Sequence, residues 1–122
     1  MNQHCYSIDV RWGEMDALGH VNNAEYLRYF ESARIEWLVD AGHHIANPDS
    51  GSVVLQSTCR YFAPVEYPCK LNVLTRLSKV GNTSFTFLHK LVGVADDKLY
   101  TEAEVVCVWL DRATGKPQRV PD

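Results

Sequence analysis

The segment spanning residues 23–41 most constrains what this chain can fold into. At about 100° per residue, Tyr26, Leu27, Tyr29, Phe30, Ala33, Trp37, Leu38 and Ala41 cover roughly half of a helix circumference. Ile35 and Val39 widen that arc. Both ends are marked: Asn22 followed three residues later by Glu25 resembles a capping box, and Gly42 directly after Ala41 is a stop signal. A helix over 23–41 would be about 28 Å long. A helix so apolar has to be wrapped by other elements rather than laid against one.

The rest of the chain supplies strands for the wrapping. Ahead of the helix, Tyr6, Ile8, Val10 and Trp12 alternate with polar residues, as in a strand buried on one face, and a loop over 13–21 follows. Beyond it the expected strands are 53–62, 70–80, 83–95 and 99–110. They are separated by the Pro64 to Pro68 turn, a Gly81-Asn82 hairpin, an Asp96-Asp97-Lys98 turn and a final turn over 112–117. One strand, one long helix and four successive strands give an α+β domain with a curved antiparallel sheet of about five strands around one central helix. The 122 residues hold no repeat, linker or low-complexity tract, so residues 1–122 read as a single domain.

Several classes are disfavoured. Cys5, Cys59, Cys69 and Cys107 are scattered, with no C-x-x-C pair and no His at zinc-ligand spacing. That speaks against a disulfide framework or metal site and for a reducing compartment. The first ten residues lack the cationic start and apolar run of a secretory signal, and the longest apolar run, 105–110, is too short to span a bilayer. A cytoplasmic location is expected, with no membrane partner. Twelve Lys and Arg against fifteen Asp and Glu give a net charge of −3 without a basic cluster, which disfavours nucleic acid.

Residues 11–34 read RWGEMDALGHVNNAEYLRYFESAR. The Asp16 loop, Gly19, the H-V-N-N run from His20 to Asn23, Tyr26, and the E-x-x-R of Glu31 and Arg34 resemble the hotdog-fold thioesterases. The match is to the 4-hydroxybenzoyl-CoA thioesterase superfamily, nearest its long-chain acyl-CoA thioesterase branch. Downstream, Tyr61 with Pro64, the G-N-T-S of residues 81–84, and V-W-L-D followed by T-G-K-P fit the same pattern. Residues 67–70 depart from it, lacking the Gly-Asp that relatives often have there. The resemblance implies a hotdog fold and hydrolysis of acyl-CoA to free acid and CoA, with no cofactor. It implies Asp16 as the catalytic carboxylate and the backbone amide of Asn23 as oxyanion donor. Gly19, Asn22 and Tyr26 would bind substrate, and Thr83 and Ser84 would line the pantetheine tunnel. It further implies a homodimer, with a homotetramer as the next assembly, and an active site between protomers.

The chemistry agrees. A leaving thiolate has a conjugate-acid pKa near 8.5, so one carboxylate and an oxyanion hole suffice, without strong general-acid help. Asp16 lies seven residues ahead of Asn23 on a loop leading to the helix start. The unpaired N–H groups and positive dipole end there can polarise a carbonyl. Direct attack by Asp16 and activation of water are both open.

Other roles compete at several positions. Asp16 with Gly19 at i+3 is also the signature of a type I turn. His20 either orients the carboxylate or substrate, or holds the loop through backbone bonds. Asn22 reads first as a helix cap. Glu31 and Arg34 read as a structural ion pair, with Glu31 the rival catalyst because some hotdog thioesterases use a helix carboxylate. Glu14 reads as a solvated loop residue, and His43-His44 as cations at the helix end. Arg60, Lys79, Arg112 and Lys116 are candidates for the CoA phosphates, although lone surface cations usually only face solvent.

Three functional readings follow. The first is an acyl-CoA hydrolase. The second, an acyl-acyl carrier protein thioesterase, would call for a basic patch that the sequence does not display. The third, a non-catalytic acyl-CoA-binding hotdog protein, is opposed by the intact Asp16, Gly19 and His20–Asn23 run. A hotdog hydratase is disfavoured by the lack of an Asp-x-x-x-x-His loop.

Overall fold

The computed structural model describes residues 3–43 and 47–121. Strand β1 (His4–Asp9) leads through a short 3-10 turn (Trp12–Glu14) to helix α1 (Asn23–Asp40), followed by β2 (Ser50–Tyr61), β3 (Lys70–Val80), β4 (Ser84–Gly93) and β5 (Leu99–Asp111). The five strands form one antiparallel sheet in the order β1-β3-β4-β5-β2. This is the hotdog architecture expected from the sequence. Two boundaries differ. β1 stops at Asp9, and Trp12 is 74% exposed because Arg11 and Glu14 close a tight turn through Glu14 N–H to Arg11 O at 3.0 Å. The β3–β4 connection uses three residues, Gly81 to Thr83, with the Gly81 N–H donating to Ser84 O at 2.7 Å.

The helix begins where its cap places it. The Asn22 side chain accepts from Ala24 N–H at 2.9 Å, but no reciprocal Glu25 bond forms; the Asn22 N–H donates instead to Glu14 O at 2.8 Å. It ends at Gly42, whose φ of +93° only glycine adopts readily, with Gly42 N–H on Val39 O and His43 N–H on Leu38 O. Tyr26, Tyr29, Phe30, Ala33 and Leu38 turn inward. No described helix is long and apolar enough to cross a membrane.

The core has two lobes. Tyr26, Tyr29, Phe30 and Ala33 pack with Val65, Leu71, Val73 and Leu91 in one; Leu38 packs with Phe85, Phe87, Val105 and Trp109 in the other. His89 joins them, stacked 5.0 Å from Phe30 and 6.0 Å from Phe87. Its Nδ1 lies 2.8 Å from Thr75 Oγ1 and its Nε2 3.4 Å from Arg34 Nη1. A guanidinium only donates, so Nε2 accepts, and Nδ1 carries the proton and donates to Thr75. No close Glu31–Arg34 ion pair forms among the described residues: Arg34 turns into the core toward His89, and the exposed Glu31 acts on it only as a charge farther off.

The wrapping is incomplete. The helix backbone approaches β3 and β1 most closely, and its side chains reach β4 and β5 through Leu91, Phe85, Phe87, Val105 and Trp109. Leu27 and Val39 of the helix are exposed, as are Val53, Val54 and Leu55 of β2, which pairs only with β5.

Burial, and secondarily the Arg34 charge, push the His89 imidazole down to about 3. The unfolded chain, with a pKa near 6.5, therefore binds more protons as pH falls, and stability present above that value is lost between about 6.5 and 3. Between pH 7.5 and pH 5 this residue should remove about 2 kcal/mol. His89→Gln stays neutral, so its denaturant midpoint should fall less over that range. Equal losses in both proteins would clear His89 of the effect.

Candidate active site

The Asp16 loop is held closed by its own backbone. Met15 and Val21 pair as an isolated bridge, Asp16 N–H donates to His20 O at 2.7 Å, and Gly19 N–H donates to Asp16 O at 3.1 Å. Gly19 sits at φ +81°, where a side chain would be strained. Asp16 Oδ1 accepts from Leu18 N–H at 2.9 Å and from His20 N–H at 3.2 Å. The turn reading of Asp16 is thus correct, yet it engages only one oxygen. No described group donates to Oδ2. Two further backbone bonds, Val21 N–H to Val65 O and Val10 N–H to Cys69 O, dock the loop onto the β2–β3 connection.

Glu14 is not the solvated residue its sequence context suggests. Its Oε1 accepts from Tyr29 OH and from Arg11 N–H, both at 2.8 Å, while its carbonyl receives the Asn22 N–H. Burial, with Glu14 as the next cause, holds the Tyr29 phenol well above its ordinary pKa, so it remains a donor.

Asp16, His20, Asn23 and Tyr26 form one side of an open recess of about 300 Å³, and Tyr61 and Phe62 face it. Tyr26 is fixed by Val65 N–H, which donates to its hydroxyl at 3.3 Å, and by edge-on contact with Tyr61 at 5.1 Å. Burial first, then Cys59, pushes the Tyr61 phenol up to about 12. At the helix start, Asn22 uses Oδ1 for Ala24 N–H and its carbonyl for Glu25 N–H. Asn23 N–H, the first helical amide, has no acceptor among the described residues. It projects from the positive end of the helix dipole.

The remaining candidates divide. Asn22 is a cap. Gly19 shapes the turn. His20 holds Asp16 through its backbone, while its imidazole lies 3.7 Å from the exposed Glu66 carboxylate and not on Asp16. Thr83 and Ser84 are not brought to this recess within a protomer. They sit in the hairpin whose Gly81 shares a cavity with Ala41, so the helix, about 27 Å over its 18 residues, separates them from Asp16. Glu31 lies mid-helix, exposed. Of the candidate phosphate-binding cations, Arg60 and Lys79 lie outside the recess and Arg112 donates to Ser50 O at 3.0 Å. His43 packs edge-on against Trp109, and His44 lies outside the described residues. Sequence reasoning missed Glu14 as a fastener and Tyr61 and Phe62 as recess walls. The signal for the walls was an aromatic pair closing a strand just before Pro64.

Comparison with known proteins points the same way. The family model described as the Thioesterase-like superfamily matches residues 10–122. The acyl-CoA thioester hydrolase YbgC of Escherichia coli O6:H1 is 31% identical over 121 residues, covering 95% of this chain and 88% of its own. The chloroplastic acyl-acyl carrier protein thioesterase ATL2 of Arabidopsis thaliana is 28% identical, covering 97% of this chain and 64% of its own. Among solved structures, the PA2801 protein of Pseudomonas aeruginosa superposes with a TM-score of 0.93 at 37% identity, over 98% of this chain and 92% of its own. A thioesterase superfamily protein from Jannaschia sp. CCS1 does so with 0.88 at 30% identity, over 97% and 76%. With its fold matching these structures and the family model running from residue 10 to residue 122, this chain belongs to the Thioesterase-like superfamily and is a thioester hydrolase.

Proposed function

We propose that the chain hydrolyses acyl-CoA thioesters to free acid and CoA in the cytoplasm, as a homodimer, with Asp16 as catalytic carboxylate and the Asn23 N–H as oxyanion donor. One observation carries this reading: among the described residues, a carboxylate with one pinned and one open oxygen shares a recess with a helix-start N–H that has no acceptor. The thioester carbonyl oxygen points at Asn23. Asp16 Oδ2 either attacks the carbonyl carbon itself or takes a proton from a water whose oxygen attacks it, and charge builds on the carbonyl oxygen where the amide and helix dipole stabilise it. The C–S bond then breaks and CoA leaves as thiolate; water attack gives the acid at once, whereas direct attack leaves an acyl-Asp16 anhydride that water then opens to release the acid and restore the carboxylate. Tyr26 and Tyr61 supply apolar walls.

Acyl-CoA is favoured over an acyl carrier protein because the exposed sheet face offers no uniform basic patch: Arg60, Arg76 and Lys90 are interleaved with Glu102 and Glu104. The cytoplasmic reading rests on the four free thiols. The dimer reading rests on β2. Its outer edge is unpaired along 12 residues among the described ones, and Leu55 at its bulge is 64% exposed. An unpaired edge carrying exposed apolar side chains fits a two-fold partner presenting the same surface.

Asp16→Asn should lower kcat by roughly 10²-fold or more with the thermal midpoint nearly unchanged, measured as CoA thiol release from a panel of acyl-CoAs. Glu31→Gln should change both little, since Glu31 makes no ion pair; the opposite ranking would make Glu31 the catalyst. Asn23→Pro tests the amide itself. Proline is tolerated at the first helical position, and Asn22, at φ −60° and ψ 138°, already has the backbone a following proline requires. This variant should fold normally and lose roughly 10²- to 10³-fold in kcat. Retained turnover would place the oxyanion donor elsewhere. Light scattering should give twice the 13.8 kDa chain mass for the parent and a single chain for Leu55→Lys. A fully active parent monomer would sink the dimer.

A further inference from the structure

One buried peptide fixes both the carboxylate loop and a phenol of the recess. The Val65 carbonyl accepts the Val21 N–H at 2.8 Å, which docks the Asp16 loop, and the Val65 N–H donates to the Tyr26 hydroxyl at 3.3 Å. The Tyr26 ring is clamped as well, edge-on to Tyr61 at 5.1 Å and to Tyr29 at 6.3 Å. Two observations place its hydroxyl end beside Asp16. Val65, which holds the hydroxyl, directly follows Ala63 and Pro64, and these line the same recess as Asp16 and Tyr26. The Asp16 charge also acts on the phenol: burial is the main cause that raises its pKa, the Val65 bond opposes it, and Asp16 adds to it. Tyr26 therefore keeps its proton.

A tyrosine hydroxyl both accepts and donates. Here it accepts from Val65, while its own proton has no acceptor among the described residues. No direct bond joins it to Asp16, whose Oδ1 is held by the Leu18 and His20 N–H groups. A separation longer than a hydrogen bond, between a donor and an acceptor that face each other, is what a water bridges. Tyr26 is only 4% exposed, so its hydroxyl is open to a molecule the size of water rather than to an acyl chain. Two other recess side chains turn elsewhere, Tyr61 to Cys59 and His20 to Glu66.

We infer that Tyr26 is a water-positioning residue: its hydroxyl donates to the oxygen of a water whose proton points to Asp16 Oδ2, so that Asp16 acts as general base and the water attacks. This rests on the hydrolase reading of the recess, in which Asp16 and water were both available as the attacking group. One water proton goes to Asp16 Oδ2, one lone pair takes the Tyr26 hydroxyl, and the other lone pair faces the thioester carbon. The C–O bond forms as the proton passes to Asp16. The C–S bond then breaks with its electron pair on sulfur, and Asp16 releases the proton to the thiolate or to solvent. Tyr26 keeps its own proton throughout. An Asp16 whose open oxygen is engaged by this water does not reach the carbon itself.

Tyr26→Phe keeps the ring and deletes the hydroxyl. With the best acyl-CoA of the panel it should lower kcat about tenfold and leave KM unchanged, as for one hydrogen bond lost in the transition state. In Asp16→Asn, where the water has no base, adding Tyr26→Phe should cost less than about twofold, whereas a merely structural role would cost the same in both backgrounds. Two measurements on the parent need no variant to fold. Rapid quench of the first turnover should show CoA and free acid appearing together, and Asp16 should stay unlabelled after many turnovers in heavy-oxygen water. The inference alone is overturned if Tyr26→Phe keeps the parental kcat or raises only KM, if its loss multiplies with that of Asp16→Asn, if CoA runs ahead of acid, or if heavy oxygen enters Asp16. Full turnover by Asp16→Asn would overturn the reading of the recess, and this inference with it.

Discussion

Glu14 fastens the loop that carries the carboxylate to the helix that carries the free amide. Its side chain takes the Tyr29 hydroxyl and the Arg11 N–H, and its carbonyl takes the Asn22 N–H, so one residue fixes a turn, a helix face and a helix cap. Hydrogen bonds to a charged acceptor contribute about 1.5–3 kcal/mol each, and an abandoned buried partner costs a similar amount. The negative charge also lies near the helix start, where the dipole favours it. Geometry at the recess has to hold within about 0.5 Å to be useful, and a loop with free ends could not hold it. Here both ends are bonded: Val10 to Cys69, Val21 to Val65.

The two readings of Asp16 then cease to compete. An aspartate that caps its own turn spends one oxygen on backbone N–H groups, here those of Leu18 and His20, and this fixes the direction of the other. The turn is the means by which the carboxylate is aimed. Gly19 makes it possible, because the chain must pass through a positive φ before His20 can donate back to Asp16. A similar economy applies to Asn22. By satisfying the second and third helical amides with its side chain and carbonyl, it leaves the first, that of Asn23, without an acceptor among the described residues.

Elements with a strong local signal were legible in the sequence. The helix, the β3–β4–β5 meander and the Gly42 stop follow from periodicity and turn chemistry, and Asp16 and Asn23 follow from the resemblance; the structure sets the two in one recess. What was not legible depends on tertiary partners. Trp12 continues the alternation of β1 on paper, but Glu14 captures the Arg11 amide and turns the chain away. The spacing of Glu31 and Arg34 permits a pair. However, His89 from a strand 55 positions on offers Arg34 a buried acceptor that no helical pattern reveals. Tyr61 and Phe62 read only as the end of a strand, because their role comes from facing a loop 45 residues earlier. Thr83 and Ser84 match the family motif by sequence, yet the helix length separates them from Asp16 within one protomer.

The incomplete cover over β2 ties assembly to chemistry. Val54 remains exposed although its register partner is Cys107, a residue buried in the core. A sheet that curved fully around one helix would have hidden this strip. Instead the strand with the unpaired edge is also the strand that runs into Tyr61 and Phe62, the far wall of the recess. Under the proposed dimer, a partner pairing along β2 would order that wall and restrict water around the Asp16 carboxylate, strengthening the interactions made there as the local dielectric falls. It would also bring a second helix flank, with its own Glu31, alongside the first.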